Sequence, residues 1–176
     1  FDDVLREDVA SFYAGAQRSF DWGLSFNASA KGEYYHNGYQ HNWNFIPQLG
    51  ATYYKTPVSI FQLNLSTLRI YPSFWELHRG RGYINEYSTV VGNPELQPYI
   101  QYDVQSGYIF KQKYVATLYF QYGDRATVQL PYQSPDALSL IYQTINMNYK
   151  RVAGLNLYAP FEAGDIWDAT VTANVF

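Results

Sequence analysis

The stretch VVGNPELQPYIQYDVQSGYIF, residues 90–110, joins a compact turn phrase to a segment that alternates in polarity. The turn phrase GNPELQP, residues 92–98, is rich in glycine, asparagine and proline, which favour turns. After it, the even positions are mostly apolar and the odd positions mostly polar. The apolar set comprises Ile100, Tyr102, Val104, Tyr108 and Phe110. This period of two predicts a β-strand with one apolar and one polar face.

The same alternation recurs along the chain and predicts about eight strands. The other alternating segments begin near Val9, Trp22, Trp43, Phe61, Tyr114, Ala153 and Trp167. Short turns are expected near residues 18–21, 54–57, 110–113 and 161–165, and longer loops near residues 36–41, 71–98 and 130–137. This order of short and long connections predicts an up-and-down antiparallel meander whose two ends differ. The alternation also runs up to Leu130 and resumes at Ile141, so this last pair of strands is expected to project beyond the others.

Composition excludes several classes of protein. The net charge of -3 over 176 residues does not favour nucleic acid as a partner, and the absence of cysteine excludes disulfides and thiolate metal sites. The sequence has no run of about 18 apolar residues, so no membrane helix is predicted. The chain starts at Phe1 rather than at a methionine, and the apolar register at its end falls on Val175 rather than on Phe176. Both features favour a fragment, and we expect residues 1–176 to be part of one β-barrel domain.

The apolar faces of these strands favour lipid over a protein core as their surroundings. Aromatic residues are abundant, with 19 tyrosines, 11 phenylalanines and 4 tryptophans, whereas charged residues make up only 15% of the chain, below the usual quarter or so. The strands reach the roughly 9–11 residues that cross a bilayer at a tilt, and aromatic pairs cluster near their ends. The alternative is a soluble, tyrosine-rich β-sandwich, in which a second sheet covers the apolar faces and the strands are shorter.

Three phrases resemble the barrel of TonB-dependent outer-membrane receptors, particularly the β-barrel family common in Bacteroidetes. They are FIPQL at residues 45–49, YPSFWEL at residues 71–77 and GNPELQP at residues 92–98. The resemblance covers the chain from about Asp8 to its end. The sequence departs from the family where an arginine-rich phrase is expected, since LRIY stands at residues 68–71. Pro47 lies inside a predicted strand, where we expect a bulge or a break in the hydrogen-bond ladder.

The resemblance implies a transport function in the bacterial outer membrane. The chain is expected to form barrel wall, with a plug domain and further strands outside it, and to import a scarce solute such as a siderophore, vitamin, glycan or peptide. The implied partners are outer-membrane lipid, that solute and a TonB-type energising protein acting through the plug. A passive porin-like channel or an adhesion barrel is the alternative within membranes.

Candidate ligand-binding residues lie in the longest loop. Trp75, His78, Arg79 and Arg81 combine aromatic and basic groups that suit a carboxylate-bearing or sugar-like solute, and we expect them at the extracellular side. The GNPELQP phrase that closes the loop is interpreted as a structural turn. The three histidines are too scattered for a metal site, and no motif indicates a cofactor or catalysis. The protein is therefore not expected to be an enzyme.

Overall fold

The computed structural model describes residues 7–37, 40–135, 137–163 and 167–176. Two sheets contain all of the strands in these ranges. The wall sheet has eight antiparallel strands in the order β1-β2-β3-β4-β7-β8-β11-β12. Their bounds are β1 Glu7–Ser19, β2 Leu24–Asn37, β3 Gln40–Thr56, β4 Ser59–Ile70, β7 Tyr99–Phe110, β8 Tyr114–Asp124, β11 Tyr149–Ala163 and β12 Trp167–Val175. The all-β meander predicted from the alternation is confirmed.

The loop sheet is a smaller, four-stranded sheet in the order β5-β6-β10-β9. It comprises β5 Arg81–Asn85, β6 Ser88–Val91, β9 Thr127–Gln133 and β10 Leu140–Asn146. Strands β5 and β6 belong to the connection between β4 and β7, while β9 and β10 belong to the connection between β8 and β11. A parallel ladder between β6 and β10 joins the two connections. The loop sheet therefore stands at one end of the wall sheet, which we call the long-loop end.

The strand register places like side chains together across the wall sheet. Val104 is paired with Leu65 of β4 and Phe120 of β8, so the apolar face continues over three strands. On the other face, Asp103 accepts hydrogen bonds from the Nε2 atoms of Gln101 and Gln121. The register therefore gives the wall sheet one apolar and one polar face.

The apolar face of the wall sheet is open. Leu63 in β4 is 50% exposed and Leu118 in β8 is 58% exposed, although both lie near the middle of long strands. The loop sheet does not cover them. This arrangement differs from a β-sandwich, in which the inner faces of two sheets bury each other.

Aromatic rings form a belt across the wall sheet at its opposite end, where the turns are short. Successive ring centroids lie 4.6–6.5 Å apart. The belt runs through Phe20, Trp22, Tyr53, Phe61, Tyr108, Phe110, Tyr114 and Phe161. Two cations border it, with Arg18 over the ring of Phe20 at 5.0 Å and Lys111 over the ring of Phe110 at 5.4 Å. The clustering of aromatic residues at strand ends is thus realised as one continuous surface.

One predicted loop was wrong. Residues 36–41 do not form a long connection, because His36 pairs with His41 and Asn37 pairs with Gln40 at the end of a continuous ladder between β2 and β3. Only residues 38 and 39, which lie outside the described ranges, separate the two strands. Turn and loop lengths therefore do not alternate strictly, and the long-loop end is marked by two long connections and one extended hairpin. The turn expected at residues 161–165 falls partly outside the described residues.

Pro47 coincides with a break in the ladder on one side of β3. Strands β3 and β4 pair only from Leu49 opposite Leu65 down to Thr56 opposite Ser59, while β4 stays paired with β7 up to Ile70. Pro47 remains in unbroken register with Ala30 of β2. A ladder break was therefore the correct alternative and a bulge at Pro47 was not, since the irregularity in this pair lies between Tyr54 and Thr56.

The projecting strand pair is a separate hairpin rather than an extension of the wall. Strand β8 ends at Asp124 and β9 begins at Thr127, with Arg125 between them at φ 55°. This change of direction places β9 and β10 in the loop sheet. The alternation in polarity continued through it because both sheets use the same two-residue period.

Candidate functional site

The connection between β4 and β7 begins with a single helical turn. Helix α1, Phe74–Leu77, is capped by Ser73, whose hydroxyl accepts from the Glu76 backbone N–H while the Glu76 carboxylate accepts from the Ser73 backbone N–H. This reciprocal pair is a capping box, and it satisfies backbone donors that have no partner at a helix start. The YPSFWEL phrase therefore positions the aromatic side chains of the turn.

The four residues predicted to bind ligand lie in the same connection, the one between β4 and β7. The rings of Trp75 and His78 are 6.4 Å apart, and Trp75 is 79% exposed. His78 Nδ1 accepts a hydrogen bond from the Gly80 backbone N–H. Arg79 and Arg81 are exposed, with Arg81 opening β5. These residues stay a prediction, and one of the four side chains already has a structural partner.

The GNPELQP phrase, residues 92–98, hydrogen-bonds the connection between β4 and β7 to the connection between β8 and β11. Asn93 Nδ2 donates to the Thr144 carbonyl of β10, and the Asn93 backbone N–H donates to the Glu76 carbonyl of α1. Gly92 is needed for this contact, because a Cβ there would collide with the carbonyl oxygen of His78. The phrase is thus more than a turn, since it joins α1, its own loop and the loop sheet.

Asn146 completes this connection from the other loop. Its side-chain oxygen accepts from the Gln97 N–H at 2.9 Å, and its Nδ2 donates to the carbonyls of Gln97 and Arg125. Arg125 in turn donates to Gln97 Oε1 at 2.7 Å. The two long connections are therefore held together by side-chain hydrogen bonds as well as by the ladder between β6 and β10.

A cleft opens where β3 and β4 part. It encloses a cavity of about 470 Å³, within the range of small-molecule sites. The part of β3 nearest the long-loop end forms one side of the cleft. Residues from β4, the start of β7 and the end of β8 form the other side. The lining residues are His41, Asn42, Trp43, Asn44, Arg69, Gln97, Pro98, Tyr99, Ile100, Asp124 and Arg125.

Arg69 is the main charge between the separated strands. Its guanidinium carbon lies 5.7 Å from the ring centre of Tyr35 and 5.4 Å from that of Tyr71. Its Nε is buried and has no hydrogen-bond partner among the described residues. By register, Arg69 shares the face of Leu65, yet Tyr35 belongs to the polar face of β2. A side chain from the apolar face of β4 therefore meets one from the polar face of β2. This is possible because β3 no longer holds β2 in the plane of β4.

The buried carboxylate near Arg69 is already neutralised. Glu33 is 2% exposed, with Lys31 Nζ 2.5 Å from its Oε2 and the Tyr71 hydroxyl donating to its Oε1. Burying a carboxylate without such partners is unfavourable. Glu33 therefore stabilises the cleft wall through partners other than Arg69, whose Nε has no partner among the described residues.

The sequence interpretation missed this cleft. One feature of the sequence indicated it, because Thr67 and Arg69 interrupt the apolar series Phe61, Leu63 and Leu65. Thr67 is nevertheless 1% exposed, which shows that this part of the face is covered by the chain itself. A polar residue in an apolar alternating series indicates a change in surroundings.

Within the described part of the chain, no group of three histidine, aspartate or glutamate side chains is placed to hold a metal ion. None of the helices described is long and apolar enough to span a bilayer.

Comparison with known protein families identifies the chain at family level. Residues 4–176 match the model of the outer membrane protein beta-barrel family, almost the whole sequence. The chain belongs to this family. The family places the protein in the bacterial outer membrane, and the soluble-sandwich alternative was wrong. Assignment to a Bacteroidetes source stays a prediction.

Solved outer-membrane receptors share the fold of this family member. The siderophore receptor PirA from Pseudomonas aeruginosa aligns with a TM-score of 0.72 at 14% identity, covering 96% of this chain and 34% of that one. The ferric enterobactin receptor PfeA from the same organism aligns at 0.69 with 16% identity, covering 97% and 27%. PirA from Acinetobacter baumannii aligns at 0.60 with 15% identity, covering 96% and 27%.

The chain thus spans about a third or less of these receptors. A search of curated proteins finds no match. At these identities the likeness establishes the fold of the wall and not its ligand.

Proposed function

We propose that this chain is a wall segment of a TonB-dependent importer that takes up a scarce solute through the outer membrane. The observation that carries the proposal is the likeness of nearly the whole chain to siderophore receptors. The solute class is left open between siderophore, vitamin, glycan and peptide. On this proposal the protein is a conduit rather than an enzyme.

The two faces of the wall sheet support a transmembrane role. The apolar face, with Leu63 and Leu118 exposed, contacts hydrocarbon, and the aromatic belt lies at one membrane interface, where tyrosine and tryptophan are favoured. The face carrying Gln101, Asp103 and Gln121 lines the lumen. Because an open sheet edge is unfavourable in lipid, β1 and β12 pair with further strands of the closed barrel.

The long-loop end faces the outside of the cell in this proposal. Barrels of the outer membrane have short periplasmic turns and longer extracellular loops. Trp75, His78, Arg79 and Arg81 then belong to the vestibule that a solute enters first. A plug domain that contacts a TonB-type protein supplies the energy coupling.

Reconstitution of the full-length protein separates the importer from a passive channel. A plugged importer should give no osmotic swelling of liposomes in small sugars, whereas a porin-like barrel should let them swell. Solute uptake by cells should also be lost when TonB is deleted. Rapid swelling, or uptake that persists without TonB, would rule out the importer and favour the passive channel.

A further inference from the structure

The cleft between β3 and β4 contains buried hydrogen-bond donors that have no partner. Two donors on its lining residues, Arg69 Nε and Asn44 Nδ2, are buried and have no partner among the described residues. Buried donors without partners are uncommon in folded proteins and call for an explanation such as a bound ligand. Both belong to the same cavity, one on each side of the separated strands.

The charges of the lining favour an anion. Arg69 and Arg125 both line the cavity, and the one acidic residue among its lining side chains is Asp124. The Asp124 carboxylate lies 3.9 Å from Arg125 Nε, and both side chains are more than half exposed. Arg69 has no ion pair within the described residues, because the nearby Glu33 is engaged by Lys31 and Tyr71.

The surroundings orient the guanidinium group of Arg69 for bidentate binding of an oxyanion. The rings of Tyr35 and Tyr71 lie within 6 Å of its guanidinium and limit its rotation. Arginine binds carboxylate and phosphate with two parallel hydrogen bonds, a geometry that depends on such fixed orientation. Arg125 is positioned by its hydrogen bond to Gln97.

We propose that the cleft between β3 and β4 is an oxyanion-binding site in which Arg69 and Arg125 bind a phosphate group and Asn44 donates a further hydrogen bond. The site is separate from Trp75, His78, Arg79 and Arg81. It does not depend on transport, so its failure and the failure of the importer proposal are distinguishable.

Two sources can supply this group. Arg69 pairs with Ile100 on the face that carries Leu65 and Val104, which brings the cleft close to the lipid-facing side of the wall. A phosphorylated glycolipid of the outer leaflet is therefore one source, and an oxyanion dissolved in the medium is the other. The same chemistry recognises both, so the experiment uses one probe for each.

Binding is measured on the full-length protein, first with inorganic phosphate in uncharged detergent by isothermal titration calorimetry. The second arm uses nanodiscs with and without lipid A, with retained lipid A quantified after washing. Saturable binding of free phosphate assigns the site to a soluble oxyanion, and retention of lipid A alone assigns it to the headgroup. Binding in neither arm would overturn the proposal.

Matched arginine variants locate the site. Arg69→Gln and Arg125→Gln should each weaken binding about tenfold or more, because each removes a charge-assisted pair of hydrogen bonds. Arg18→Gln, exposed beside Phe20 at the opposite end of the wall sheet, should change it less than about twofold. Equal weakening in Arg18→Gln would overturn the assignment to the cleft.

Folding is controlled separately. Thermal unfolding identifies variants that do not fold, and Arg125 is exposed enough to be replaced without disturbing the wall. Arg69→Lys retains the positive charge between the tyrosine rings but loses the bidentate geometry, so it should bind with intermediate affinity. Wild-type affinity in both Arg69→Lys and Arg125→Gln would contradict the proposed recognition.

Discussion

Leu63 and Asn64 are adjacent in β4 but lie on opposite faces of the wall sheet. Leu63 pairs with Ala51 and Ser106, and Asn64 pairs with Gly50 and Gln105. Both side chains are exposed, so neither is held by a packed protein core. Exposure alone does not distinguish hydrocarbon from water, but the response to a charge does.

Arginine at these two positions should therefore have unequal effects. Leu63→Arg should lower the free energy of unfolding by about 2–4 kcal/mol if the position lies near the bilayer midplane, because the charge must leave water. Asn64→Arg should be tolerated far better, since its side chain stays hydrated in the lumen. The measurement is urea unfolding of the full-length protein in lipid vesicles. Similar costs for both variants would contradict the assignment of faces.

Gly92 shows a different dependence on a single position. A methyl group there would meet the backbone of His78 rather than a side chain that could move aside. At Gly82, in β5, the nearest atom to an added Cβ is the Val90 carbonyl oxygen at 3.9 Å. Two glycines of the same loop thus differ sharply in the room around them.

Gly92→Ala should loosen the loop, at a cost of about 1–3 kcal/mol typical of overpacking, whereas Gly82→Ala should be nearly neutral. The loosening should be seen as faster proteolysis of residues 71–98 in the folded protein. Equal proteolysis of the two variants would show that Gly92 does not hold the loop against α1.

Among the elements, the two long connections act as one unit. The parallel ladder between β6 and β10 and the side chains of Asn93 and Asn146 join segments that are about 50 residues apart in the chain. The short turn between β7 and β8 is tied to the preceding turn by one backbone hydrogen bond, from the Lys111 N–H to the Val58 carbonyl, and Lys111 and Gln112 there have positive φ. The two ends of the wall sheet are therefore built differently, as the proposed sidedness requires.

Labelling in intact cells tests that sidedness. A cysteine replacing Gly82 in the loop sheet should react with a membrane-impermeant maleimide, and one replacing Gln112 in the short turn should not. Both positions are exposed, so a difference in labelling reports location rather than burial. The control is equal labelling of both variants after the cells are lysed. Reaction at Gln112 but not at Gly82 in intact cells would reverse the orientation.

For the whole molecule, the open apolar face is the feature that requires a membrane. It is wide, with exposed residues in every strand from β3 to β8 of the wall sheet, including Leu49, Leu63, Tyr108 and Leu118. Contiguous apolar patches of this kind are rare on soluble monomers. The full-length protein should accordingly aggregate when purified without detergent.

Fluorescence quenching locates the lipid directly. With the native tryptophans as baseline, Leu118→Trp should add emission that brominated lipid tails quench, because the side chain contacts hydrocarbon. Thr117→Trp, adjacent in β8 but on the polar face, should escape this quenching. Quenching of neither variant, with a monodisperse protein in plain buffer, would mean that the apolar face is not in a membrane.

The loop residues and the cleft differ in how far sequence could predict them. Sequence alone could predict the local cluster of aromatic and basic groups formed by Trp75, His78, Arg79 and Arg81. Their ligand-binding role stays a prediction. For the cleft, Thr67 and Arg69 indicated only a change of surroundings, and the cavity could not be predicted because Arg69 meets Tyr35 only after β3 separates from β4. Residue type suggested a binding loop, but no local pattern encodes a cavity between strands.

The alternating sequence determined the wall strands, their two faces and the antiparallel meander, because side-chain direction in a strand is a local property with a period of two. It also placed Pro47 where the ladder breaks, since proline has no N–H to donate. Tertiary structure decided how the long connections fold. The loop sheet, the contacts of Asn93 and Asn146 and the oxyanion cleft arise from pairings between distant segments, which depend on the geometry of the folded chain rather than on any local pattern.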